Sequence, residues 1–161
     1  MLNRIGTLLV LGLLALVPSA GTAHAETSIA VSTFSYVDTS GEPTDLSAEH
    51  AKRLTEMART VRRFLDEDPR YAAIIAPDPT CGQNDTECMR MWAKTSGADL
   101  ILIGGLQKVS TLITQLSIAV FDTQTGKRVF SRDMTFRGDN DEAWTRAARF
   151  IAQRVLAEPL T

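Results

Sequence analysis

Cys81 and Cys88, His50, and a polar group at Gln107, Lys108 and Ser110 are the residues of this chain whose types and spacing could do chemistry. Seven positions separate the two cysteines, so they lack the CxxC spacing of a redox-active pair. Export would make them a disulfide closing the stretch from Cys81 to Cys88; the other reading is a pair of buried thiols. A metal site needs more ligands than this. Only one histidine, His50, follows residue 25, and there is no third cysteine. No metal or cofactor is expected.

His50 falls in the first turn of a predicted helix, where it reads as a surface residue rather than a general base. The chain has serines but no G-x-S-x-G elbow, and only His50 could serve a Ser-His-Asp set. Asp66, Glu67 and Asp68 stand beside Pro69 and read as a solvated helix end. Gly104-Gly105 lacks the G-x-G-x-x-G pattern, so a bulge or a close-packing point is expected there instead of a phosphate cradle. Ligands of open α/β sheets sit at strand C-terminal ends. That makes Gly105, Gln107, Lys108 and Ser110 the candidate binding residues, against the plainer reading of a solvated turn.

Positioning these residues takes a set of elements that periodicity predicts. Residues 27–37 alternate as a strand, with Ile29 and Val31 on one face and Ala30, Phe34 and Tyr36 on the other. A loop rich in turn formers covers 38–46. Ser47 is the expected cap of a helix with Ala51, Leu54, Ala58, Val61 and Leu65 on its apolar stripe. Glu49–Arg53, Arg62–Asp66 and Arg63–Glu67 have the spacing of helical ion pairs. Pro69 closes that helix, and 71–76 is a short strand. Asn84 and Glu87 have capping-box spacing for a second helix, with Met89, Trp92 and Ala93 on one face and Gly97 as its stop.

The unbroken apolar run 100–103 predicts a strand covered on both faces, ended by the two glycines. A longer alternating strand reaches Phe121, and 122–127 connects it to a return strand over 128–137. Arg132 lies among Phe130, Met134 and Phe136, which points to a partly solvated end of the sheet. Asp139 and Glu142 form a further expected capping pair. Trp144, Ala147, Ala148, Ile151 and Val155 line the last helix, and 158–161 is expected to fray. The order β-α-β-α-β-β-β-α predicts an α/β fold with an α+β-like second half. Its single mixed sheet is parallel in the first half and antiparallel in the second, with helices packed on it.

The chain has 161 residues, with 17 basic against 19 acidic side chains and a net charge of −2. That balance argues against nucleic acid and anionic membrane surfaces as partners. Residues 1–25 carry a basic start, an apolar core and Ala23-His24-Ala25. This is the pattern of a signal peptide cleaved between Ala25 and Glu26, leaving 26–161 as one domain. The apolar run is short for a membrane span, for which about 20 residues are typical, and none is expected after signal removal.

Five stretches resemble a family of small exported proteobacterial proteins known only as a domain of unknown function. They are Gly41-Glu42-Pro43, Ser96-Gly97-Ala98-Asp99, Gln107-Lys108-Val109-Ser110, Asp122-Thr123-Gln124-Thr125-Gly126-Lys127 and the run from Arg137 to Trp144. The phrases at 97–106 and 121–131, with the element order, also resemble a wider group of envelope α/β domains. That group includes the N-terminal domain of the Tol system's periplasmic protein, the lipoprotein activators of penicillin-binding proteins and the curli secretion channel's periplasmic domain. This chain lacks the lipidation cysteine of the lipoprotein members. The resemblance implies no catalytic residues, and it implies action by binding an envelope protein. The expected function is therefore a soluble periplasmic accessory or protein-interaction module without catalytic activity. The alternatives are a small-molecule binder using the strand-end cleft near Lys108, and a hydrolase with an unrecognised site.

Overall fold

The computed structural model of the protein describes residues 26–75, 81–82 and 85–160. The expected signal segment through Ala25, and Asn84 of the expected capping box, lie outside the described residues; Glu26 is the first residue within them. In chain order the elements are β1 (Thr27–Val31), β2 (Ser35–Asp38), α1 (Ser47–Asp66), β3 (Tyr71–Ile75), α2 (Thr86–Thr95), β4 (Leu100–Lys108), β5 (Ile113–Asp122), β6 (Arg128–Arg137) and α3 (Asp141–Leu156). The described strands form one mixed sheet in the order β3-β1-β4-β5-β6, with β2 also paired to β4. β1 runs parallel to β3 and β4, and β2 runs parallel to β4; β5 and β6 complete the sheet as an antiparallel meander. The parallel first half and antiparallel second half match the expectation from the element order.

α1 and α3 cover one face of the sheet. Between them and the strands lies the main core, with Ile29, Val31, Leu102, Leu116, Val120 and Ile151 wholly buried. α2 covers part of the other face, where Met89 and Ala93 meet Ala30 and Ile101. Beyond α2 the outward residues of the meander are polar and exposed, among them Gln115, Ser117, Ser131 and Asp133. A sheet packed on one side and wet on the other produces this alternation. Arg132 is exposed and reaches Glu158 at 3.2 Å, so this end of the sheet is solvated as the sequence suggested.

Two strand expectations are corrected together. β4 does not end at the glycines; it runs through them to Lys108. The expected first strand is instead broken into β1 and β2. The cause is Phe34, whose ring lies over Gly104: a Cβ there would fall 1.9 Å from Phe34 Cδ1. The strand leaves the ladder at Ser32, after Ser32 N–H donates to Leu102 O at 3.0 Å, and rejoins at Ser35 opposite Gly105. Val31 and Phe34 both enter the main core, which strict alternation forbids. Gly104 is thus a close-packing point, one of the two readings made of it.

The caps differ from expectation by one residue in each helix. Leu46 precedes α1 without a side-chain cap, and Ser47 is helical, with its N–H donating to Asp45 Oδ1 at 3.0 Å. Asp85 caps α2 by accepting from Cys88 N–H. Asn140 caps α3 by accepting from Ala143 N–H, so Asp139 stands outside the helix with its carboxylate free for other partners. Gly97 has φ +83°, the left-handed conformation expected of a helix stop. Cys81 and Cys88 are joined in a disulfide with Cα atoms 5.7 Å apart. Cys81 packs at the margin of the cluster beneath α2.

The approach of Phe34 to Gly104 gives a direct test. Gly104→Ala should destabilise the protein by about 1–3 kcal/mol through overpacking. Phe34→Leu introduced with it should recover part of the loss. Urea unfolding of the two single variants and the double variant measures this; additive losses would contradict the contact.

Candidate functional site

Continuation of β4 through the glycines sets the orientation of its last residues. Leu102, Gly104, Leu106 and Lys108 share the face under α1 and α3, while Gly105 and Gln107 point the other way. Lys108 therefore enters the core side of the sheet with its side chain 1 % exposed. Its ammonium donates to Asp139 Oδ2 at 2.7 Å and to Glu42 Oε2, and Asp38 Oδ2 lies 4.0 Å away. Glu42 comes from the β2–α1 loop and Asp139 from the residue before the α3 cap.

Asp139 is the hub of this cluster. Besides Lys108, its carboxylate bonds to His50 Nε2 at 2.9 Å, Arg53 Nη1 at 2.8 Å and Trp144 Nε1 at 3.2 Å. Arg53 also donates through Nε to Asp141 Oδ1 at 2.8 Å. The expected Glu49–Arg53 helical pair gives way to these contacts, which tie α1 to the start of α3. Arg62 keeps its expected partner, Asp66, at 3.5 Å. Asp66 accepts from Ala73 N–H and Asp68 holds Arg70, so that acidic cluster is structural.

His50 is buried, which corrects the expectation of a surface residue. The buried stripe of α1 is His50, Met57, Ala58, Val61 and Leu65, rotated so that His50 replaces Ala51 at its head. Its ring stacks on Trp144 with centroids 5.7 Å apart and lies 4.7 Å from that of Tyr36. Phe136 meets Trp144 edge-on.

Protonation states follow from these contacts. Burial pushes the Asp139 carboxyl up, but its bonds to Lys108 and His50 outweigh burial and hold it below its ordinary range. Burial pulls the Lys108 ammonium down, and hydrogen bonds to Asp139 and Glu42 reverse this and raise it. Burial, with the neighbouring Asp38 carboxylate, raises the Tyr36 phenol. Bonds from Ser40, above all its hydroxyl, lower Asp38. The Lys108 ammonium and the Asp139 carboxylate are thus held charged and paired with each other across the neutral range.

The other expected binding residues lie apart from Lys108. Gln107 is exposed, with its amide donating to Thr39 Oγ1 at 3.1 Å. Ser110 sits in the β4–β5 turn, where its hydroxyl accepts from Ile113 N–H at 3.1 Å. Gly105 faces Ser35 on the opposite side of the sheet. Sequence reasoning missed Glu42, His50, Arg53, Asp139 and Trp144 as members of one site. The available signal was Lys108 on the buried phase of a strand, since a buried ammonium requires acids from elsewhere in the chain.

A cleft of about 540 Å³ opens beside the cluster, between the β2–α1 loop and the start of α1. Its lining carries three acids, Asp38, Glu42 and Asp45, and no lysine or arginine. Among the described residues no group of three or more His, Cys, Asp or Glu is arranged to hold a metal ion. None of the helices among those residues is long and apolar enough to cross a membrane.

A mixed sheet with helices on both faces, clamped by a buried Lys–Asp–Glu cluster and lacking a recognisable catalytic set among its described residues, defines a small α/β domain with a structural ion cluster. The chain belongs to the family DUF3280, described as a protein of unknown function (DUF2380), which matches residues 27–156. No curated protein matches it. Three solved structures share the fold. The PelC dodecamer from Paraburkholderia phytofirmans is 15 % identical, with TM-score 0.54 over 82 % of this chain and 86 % of that one. The LpoB C-terminal domain from Salmonella enterica is 14 % identical, with TM-score 0.51 over 71 % and 84 %. TolB from Acinetobacter baumannii is 10 % identical, with TM-score 0.52 over 81 % of this chain and 27 % of that one. At these identities the likeness is one of fold. It agrees with the resemblance noted in the sequence to the family and to the Tol and activator domains.

The cluster has a pH signature. A lowered carboxyl stabilises the fold above its unfolded value and loses that contribution as pH falls through the folded one. A raised ammonium stabilises below its unfolded value and loses it as pH rises through the folded one. Stability from the cluster should hold between the ordinary Asp value of 3.8 and the ordinary Lys value of 10.5, and decline outside that window. Asp139→Asn should cost about 3 kcal/mol at pH 7, the low end for breaking a buried pair, since Lys108 keeps Glu42 and Arg53 keeps Asp141. It should also flatten the acid limb of urea stability measured against pH. An unchanged acid limb would remove Asp139 from this role.

Proposed function

We propose that this protein is a non-catalytic accessory module of the bacterial envelope that acts by binding another protein. One observation carries the reading: the ionisable side chains gathered around Asp139 are largely buried and internally paired, with Lys108 only 1 % exposed. Catalysis needs a base, acid or nucleophile within reach of a substrate. Here Lys108, Asp139 and Arg53 are committed to one another, and His50 is bonded to Asp139 and packed against the Tyr36 and Trp144 rings. A small-molecule reading has the same difficulty, because the one lysine beside the acidic cleft is already held by Glu42 and Asp139. Shared fold with the LpoB and TolB domains supports a binding role by analogy.

Export fits the reading, because an oxidising compartment sustains the Cys81–Cys88 disulfide. N-terminal sequencing of the protein from an envelope fraction should begin at Glu26, with Ala25 as the last residue removed. A full-length cytoplasmic product would contradict export.

His50→Ala separates the readings. It should lower stability by about 1–3 kcal/mol, by opening space beside Tyr36 and Trp144 and taking one donor from Asp139. Wherever circular dichroism shows the variant folded, it should complement a deletion strain as well as the native chain does. A folded variant without biological activity would favour a hydrolase centred on His50.

A further inference from the structure

β6 is the outer strand of the sheet, and one of its edges is unpaired. Register pairs Arg137 with Ile113 and Met134 with Leu116. Just beyond the strand, Gly138 N–H donates to Leu112 O at 2.9 Å. Antiparallel pairs alternate between hydrogen-bonded and non-bonded, so residues 132, 134 and 136 point their backbone groups at β5. Asp133, Thr135 and Arg137 therefore turn their amides and carbonyls away from the sheet. The described residues supply them with no partner.

Alongside this edge runs a groove of about 430 Å³ between β6 and α3. Met134 and Phe136 line it from the strand, and Ala143, Ala147 and Phe150 from the helix. The two alanines leave room, and Phe150 stays 39 % exposed although it is large and apolar. The charged residues lining the groove are Arg137 and Arg146, with no acid among them. Arg146 has an exposed helical pair with Glu142, an interaction of little worth. Arg137 has no ion pair among the described residues.

We propose that this edge and groove receive an extended acidic segment of a partner protein, added to the sheet as a strand beside β6. The proposal rests on the interaction-module reading and names its surface and the chemistry of its partner. An added strand takes affinity from backbone bonds and specificity from alternate side chains placed in pockets. Here the outward groups of 133, 135 and 137 would supply the bonds, the groove would take alternate apolar side chains, and Arg137 with Arg146 would select carboxylates. A second copy is disfavoured in this position. β6 carries Arg128, Arg132 and Arg137 against the single acid Asp133, so two copies bring a net repulsion, relieved only in the register centred on Thr135 that sets Asp133 opposite Arg137. Arginines on an edge also discourage indiscriminate pairing; the apolar groove beside them turns that protection into selectivity.

The probe is a capped heptapeptide alternating Glu and Val, compared with its Lys and Val counterpart, against the isotopically labelled protein. With the acidic peptide, amide exchange at Asp133, Thr135 and Arg137 should slow at least tenfold, and added salt should weaken binding. The lysine peptide should bind at least tenfold more weakly. Thr135→Pro removes one outward donor without touching the β5 ladder, so it should keep the native unfolding transition and lose the peptide. Arg137→Glu, which leaves Arg146 opposed by an acid, should abolish the preference between peptides. Four outcomes would overturn the proposal: no saturable binding, equal binding of both peptides, protection elsewhere on the sheet, or protection of the same amides by self-association without peptide. A Thr135→Pro protein that still cross-links to a specific envelope partner would leave the interaction-module reading standing while removing this site.

Discussion

Burial of one lysine organises the structure. Lys108 lies on the inward phase of β4, where an unpaired ammonium would cost several kcal/mol. The chain meets that cost with acids from two distant segments, Glu42 from the β2–α1 loop and Asp139 from the approach to α3. Neither acid can reach the ammonium unless its own segment is in place. Arg53, His50 and Trp144 then bind the same Asp139, so α1, β4 and α3 converge on one carboxylate. Such a cluster is weak evidence for net stability, because burying its members costs about as much as their attraction returns. What it does specify is relative placement, since a displaced segment would leave a buried charge unpaired.

The second constraint is the close approach of Phe34 to Gly104. A side chain at Gly104 would collide with the ring, and the ring in turn breaks the first strand into β1 and β2. Because the break shifts the alternation, Tyr36 reaches the core side and packs against His50. The aromatic wall of the ion cluster therefore depends on a glycine one layer away. Local backbone geometry and cluster geometry are parts of one arrangement.

Coverage of the sheet is uneven, and this shapes the surface available for recognition. α1 and α3 seal one face, α2 covers part of the other, and the meander's outward residues are polar enough to stay wet. Single apolar side chains are exposed at several places, Val37, Met91 and Leu112 among them, and beside the β6 edge strand and helix leave an apolar groove with Phe150 exposed. An exposed edge with an apolar neighbour is a different kind of surface from a solvated sheet face. Backbone donors, apolar space and positive charge meet there.

Periodicity alone determined much of this protein. The runs at 100–103 and 128–137, the stripe from Trp144 to Val155 and the stop at Gly97 report local preferences of backbone and side chain, and these hold in the fold. The even cysteine count in a chain read as exported likewise pointed to the disulfide that joins Cys81 to Cys88. Tertiary structure decided the rest. Whether Gly104 and Gly105 end a strand depends on Phe34, 70 positions before Gly104, filling the space that glycine leaves, and on Ser35 lying against Gly105. Whether His50 faces water depends on a small rotation of the α1 stripe, and Asp139 acts as hub because Asn140 took the cap. The ion cluster joins residues 42, 50, 53, 108, 139 and 144, whose spacing in the chain carries no period. Electrostatic pairing acts through space, and only the packed fold brings those charges within reach.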